Sequence, residues 1–247
     1  MFDPIMVKDE DLIDVTEIQN YSNKVFRAHI TLPKSKHDVL MKINFDGKND
    51  QVVADRMKYL FDITPMHTFF VNYHDINHFC FAFYKGSRLW NQKPIELENN
   101  IFQIEMCKIL IFRFVIGSIK TNADHIMIVD ELPMSISEIY IGNHFPDINF
   151  LKMFTNVDIE YFIKARELIN KNFSHDAMRG IILQNGKRER NINYMRCKYP
   201  LSVSALRLTE LMEEKLDLIT SCDIDVILLA MLHPDLDRDD YQDLIIS

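Results

Sequence analysis

Four short stretches of this sequence hold residues whose types and spacing bear on chemistry. In DVLMKINF, residues 38–45, Lys42 is the one cation of a run that alternates like a strand, where a fixed ammonium can grip anionic oxygens. Asp50 opens the next run, which has helical spacing, and from there it can pair with Lys42 or serve as a helix cap. GSIKTNADHIMIVD, residues 117–130, sets a glycine, two strongly polar triplets and a β-branched run directly after the most apolar part of the chain. It carries Lys120, Asp124, His125 and Asp130. MSISEIYIG, residues 134–142, adds Ser137 and Glu138. A strand lysine, then a polar loop, then carboxylates are the parts that phosphoryl transfer needs: a cation on phosphate oxygens, a proton acceptor, and hard oxygen ligands for magnesium. The plain alternative is that Lys42 is a solvated strand lysine and the loop a polar turn between a buried helix and a strand.

The elements around these residues can be read from periodicity. NKVFRAHITL alternates, PKSKHD turns, and VLMKINF alternates again, which gives an antiparallel hairpin. From Asp50 to Phe61 the spacing becomes helical, with Ala54, Met57 and Phe61 on the face of Asp50. TFFVNY, the turn HDIN and HFCFAFY make a second hairpin. GSRLWNQKP reads as a connector. ENNIFQIEMCKILIFRFVIG is apolar on nearly all sides, as a core helix is. Two short strands, Ile126 to Val129 and Met134 to Ile141, flank DELP, and helices are expected over 157–171, 174–183, 202–220 and 223–232. The expected domains are a β-rich lobe over 1–88, a helical lobe over 89–222, and a terminal helix with an acidic tail over 223–247.

That order of elements resembles the protein-kinase-like fold, an α+β architecture with a small antiparallel β lobe and one helix followed by a mainly helical lobe. At Gly117 the resemblance becomes more specific. GSIKTNADHIMIV is similar to the catalytic loop of phosphoinositide-kinase-type atypical kinases and of the kinase-like proteins of large DNA viruses, with Gly117, Thr121, Asn122 and IMIV in matching places. The resemblance spans roughly residues 23 to 142. It implies that Lys42 is the nucleotide lysine, held by an acid such as Asp50. It also implies that Lys120 stands where a catalytic aspartate would, His125 where a metal-binding asparagine would, and Ser137 where a second metal aspartate would, with Glu138 matching the acid after it. These departures remove the working charges. An ammonium repels magnesium, a serine hydroxyl brings it no charge, and imidazole suits softer metals. The family's chemistry is therefore expected to be lost: a pseudokinase with no catalytic residue, no metal site and no required cofactor, acting on a protein partner, with a nucleotide at Lys42 and Asp50 as an option. The alternative is an atypical ATP- and magnesium-dependent phosphotransferase with a rearranged site, in which Asp130 or Glu138 holds the metal. Against Asp130 stands the ordinary reading of DELP as an exposed turn.

Composition narrows the remaining classes. The chain has 247 residues, 47% hydrophobic and 26% charged, with only 6 glycines, which argues against a glycine-rich phosphate cradle. The net charge of −8 belongs wholly to the segment from Ser204 onward, with eleven acids against Arg207, Lys215 and Arg238. The rest is neutral, so nucleic acid is not an expected partner. The run from Ile109 to Ile119 is broken by Arg113 and is too short to span a bilayer, and the first residues do not read as a signal peptide, so no membrane partner is expected. Cys80, Cys107, Cys197 and Cys222 lack zinc spacing and fit a reducing, cytoplasmic setting. The Ile-, Asn- and Met-rich composition suits a large virus, hence host cytoplasm. The stretch 185–198, with Lys187, Arg188, Arg190, Arg196 and Lys198 around Tyr194, reads as a solvated basic surface. His67, His74 and His78 read as loop histidines, and Ser174 as a helix start.

Overall fold

Alternating side chains between Val25 and Ile43 build the centre of a six-stranded sheet, seen here in a computed structural model. The structure describes residues 5–18, 25–32, 35–43, 48–65, 68–74, 76–83, 88–89, 100–117, 126–135, 159–188 and 209–217. The strands are β1 (Ile5–Val7), β2 (Leu12–Ile18), β3 (Val25–Leu32), β4 (Ser35–Ile43), β5 (Thr68–Tyr73) and β6 (Ile76–Phe83), in the order β1-β5-β6-β4-β3-β2. All neighbours are antiparallel except β1, which runs parallel to β5. Ala28, Ile30, Val39, Val71, Cys80 and Val7 share one buried cluster, as strand alternation dictates.

Both predicted hairpins are present, with tighter turns. β4 already starts at Ser35, so the first connection is shorter than PKSKHD. His74, at φ 50°, turns the second. Two strands of this sheet escape the sequence reading. β1 is only three residues long, and β2 is an edge strand whose phase breaks between Ile13 and Thr16, with Asp14 at φ 55°.

Helix α1 (Lys48–Lys58) enters between β4 and β5 and ends in a short 3-10 turn, Tyr59–Phe61. Its apolar face does not stay with the sheet cluster. Val53, Ala54, Met57 and Phe61 join the core formed by α2 (Asn100–Ile116), α3 (Ile159–Asn172), α4 (His175–Arg188) and α5 (209–217). Phe61 meets Phe112 of α2 and Phe173, which follows α3, edge to face at 5.2 and 5.3 Å. α2 is the hub of this core: every residue from Met106 to Ile116 is buried, Lys108 and Arg113 included. The break between α3 and α4 is capped as the sequence suggests, with the Ala177 amide donating to Ser174 Oγ at 3.3 Å.

A second sheet orders β7 (Arg88–Leu89), β8 (Ile126–Val129) and β9 (Leu132–Ser135) side by side. Here the expected second strand, Met134 to Ile141, needs correction. Pairing begins at Leu132 opposite Val129, and the turn is only Asp130 and Glu131, at φ 49° and 64°. Two consecutive left-handed residues are the signature of the two-residue hairpin turn whose twist suits the strands. Pro133, read as part of a turn, instead lies within a strand at the edge of this sheet, where its missing N–H is tolerated.

Candidate functional site

Lys42 sits near the end of β4, an interior strand, opposite Val25 on one side and Phe79 on the other. It is three positions on from buried Val39, an odd step that puts it in the opposite phase of the strand. Asp50 is in the first turn of α1, not at its cap, because the helix begins at Lys48. An acid there complements the positive end of the helix dipole. Lys120, His125, Ser137 and Glu138 lie outside the described residues, as do His67 and the stretch 189–198.

The frame on both sides of the loop is described. α2 ends at Gly117, buried and left-handed at φ 56°, whose amide donates to the carbonyls of Arg113 and Phe114 at 3.1 and 3.2 Å. A non-glycine residue would carry a Cβ penalty here, which is why the helix stops at this residue. The chain re-enters as β8, with Ile126 and Ile128 buried against the helical core. Asp130, the alternative metal ligand, is exposed at the tip of the β8–β9 turn with Glu131. No group of three or more potential metal ligands forms among the described residues.

Beneath this frame is a buried polar cluster that the sequence reading missed. Lys58, at the end of α1 and 0% exposed, donates from Nζ to Asp55 Oδ1 at 3.0 Å and to the backbone carbonyl of Ser135 at 2.8 Å. Arg113 of α2, also 0% exposed, donates from Nε to Ser135 Oγ at 2.9 Å. One serine at the end of β9 is thus held from two helices. The signal was present: Lys58 is one helical turn beyond Ala54 and next to Met57, on the face that periodicity buries, and Arg113 interrupts the apolar run that starts at Ile109.

A second polar clasp ties the end of α1 to α2. Asp62 adopts φ 54° just after the 3-10 turn, and buried Lys108 donates to its carbonyl at 2.6 Å and its carboxylate at 3.1 Å, with Glu105 at 2.7 Å. Further off, burial lowers Lys215 on α5 to a pKa of about 8, with its ammonium 5.5 Å from the centre of the Phe114 ring. Burial likewise pushes the Cys80 thiol up, which makes it inert.

No protein-family model and no curated protein matches the sequence. Among solved structures, the chain is similar to the Helicobacter pylori proinflammatory kinase CtkA, with a TM-score of 0.53 and 10% identity over 95% of this chain and 100% of that one. It also aligns with the Drosophila melanogaster PAN3 pseudokinase, at a TM-score of 0.36 and 11% identity over 85% of this chain and 69% of that one, too low to add to the argument. The likeness to CtkA, together with the strand order and the single helix between β4 and β5, gives the fold: kinase-like, α+β, with a small β region followed by a helical one.

Proposed function

We propose that this chain is a catalytically degenerate kinase-like protein that works by binding a protein partner. One observation carries the reading: on a kinase-like fold, the loop after Gly117 and the segment after β9 offer Lys120, His125 and Ser137 where the sequence resemblance puts the proton acceptor and the magnesium ligands. A lysine cannot accept the substrate proton while charged, and it raises the electrostatic cost of a divalent cation nearby. The same cation would attract a phosphate or an acidic side chain, so nucleotide at Lys42 and Asp50 is compatible with binding without turnover. The acidic end beyond Cys222 suits a basic protein surface, in a cytoplasmic setting that is host cytoplasm if the chain is viral.

A second reading, an atypical phosphotransferase, is favoured by CtkA being described as a kinase. It needs Asp130 or Glu138 to hold the metal; Asp130 is exposed at the tip of a hairpin turn and belongs to no group of three potential metal ligands among the described residues. A thermal-shift titration with ATP, with and without magnesium, separates the two. The expected outcome is no magnesium-dependent stabilisation and no ATP turnover. Magnesium-dependent stabilisation that Lys42→Ala abolishes, together with turnover, establishes the enzyme instead. A pull-down comparing the intact chain with one truncated after Cys222 tests the acidic end: equal capture of a partner by both removes its assigned role.

A further inference from the structure

Three buried side chains converge on one strand end. Lys58 reaches the carbonyl of Ser135 and Arg113 reaches its hydroxyl, while Asp55 balances the lysine from one turn back on α1. Neither cation can be there for solubility, since both are 0% exposed. Moving a charge out of water is costly and is recovered only through close, well-directed partners. Ordinary packing would fill these positions more cheaply with leucine or methionine. The partners chosen are not on neighbouring turns alone: Ser135 lies 77 residues from Lys58 and 22 from Arg113.

We infer that Ser135 is a latch point at which Lys58 and Arg113 act as positioning residues, fixing the end of β9 to α1 and α2 together. β9 needs such a device. Among the described residues it is an edge strand of four residues, paired with β8 alone. Its tip is a turn of two left-handed non-glycine residues, which stores strain. Without the latch, hairpin pairing and the packing of buried Pro133 and Met134 would be left to hold the strand that leads, two residues on, to position 137. Lys58 holds a backbone carbonyl, so this half of the latch is independent of the side chain at 135. Arg113 holds the hydroxyl, so this half requires a hydroxyl side chain there. The consequence is that α1 cannot shift along its axis without dragging β9.

The inference rests on the reading above only in making position 137 part of the site; the latch itself is tested without nucleotide. Amide hydrogen exchange is measured on the full chain as wild type, Lys58→Met, Ser135→Ala, and Lys164→Met as an exposed control. The expected result is exchange in β9 faster by on the order of tenfold in both latch variants, with β3–β6 and the control unchanged. Should Lys58→Met fail to fold, Ser135→Ala decides alone, since it removes a single hydroxyl. Unchanged β9 exchange, or an equal rise throughout β3–β6, overturns the latch. A parallel ATP titration separates the two ideas. ATP turnover by wild type defeats the proposed function while leaving the exchange result standing.

Discussion

At the scale of single residues, the chain spends an unusual amount of charge in its interior. Removing one partner of a buried ion pair leaves the other desolvated, so Lys58→Ala is expected to destabilise by about 3–5 kcal/mol, measured by urea denaturation. Lys215 behaves differently. Its pKa is lowered by burial to about 8, so between there and the ordinary lysine value the unfolded chain binds more protons than the folded one. Stability therefore rises with pH across that interval, and the penalty is fully present below pH 8. One pKa unit is about 1.4 kcal/mol, which puts the penalty near 3 kcal/mol, less what the Phe114 ring returns. Lys215→Met should raise the melting temperature at pH 7, and its advantage over wild type should shrink by pH 10. An advantage that is flat with pH would mean that the lysine is not titrating through this window.

At the scale of elements, two turns make opposite predictions. Gly117 is left-handed and buried, so Gly117→Ala is expected to cost about 1–2 kcal/mol in equilibrium unfolding. Glu131 is left-handed and exposed, so Glu131→Gly should stabilise by roughly 0.5–1 kcal/mol, seen as a higher melting temperature. The elements around these turns differ in how legible they are. β3, β4, β6 and α1 stand out because alternation or helical spacing runs through them, and β5 because it is rich in aromatic and β-branched residues. β2 does not, because the bulge between Ile13 and Thr16 resets its phase midway. β9 does not, because a proline beside an acidic pair looks like a turn until the edge position of the strand is known. The candidate site divides the same way: Lys42 is visible as a lone cation in an alternating run, whereas the meeting of Lys58 and Arg113 at Ser135 is not, since only tertiary packing brings β9 beside both helices.

At the scale of the whole molecule, chain order and packing disagree in a useful way. By order, α1 belongs with the β strands that flank it; by packing, Ala54, Met57 and Phe61 belong to the helical core. Cut away from the helices, residues 1–88 would leave that apolar face of α1 uncovered. Heat should therefore unfold the protein in one transition with matching calorimetric and van't Hoff enthalpies, and a fragment covering residues 1–88 should not fold alone. Two separated transitions would show that α1 is not the shared element. The same helix has a bearing on how this sequence can drift. In a saturation scan scored only for folded protein, the intolerant positions should include 53, 54, 57 and 58, which on present reading touch neither nucleotide nor partner. Substitutions there would be eliminated before any question of activity arises, so the helix would persist whether or not the chain catalyses anything.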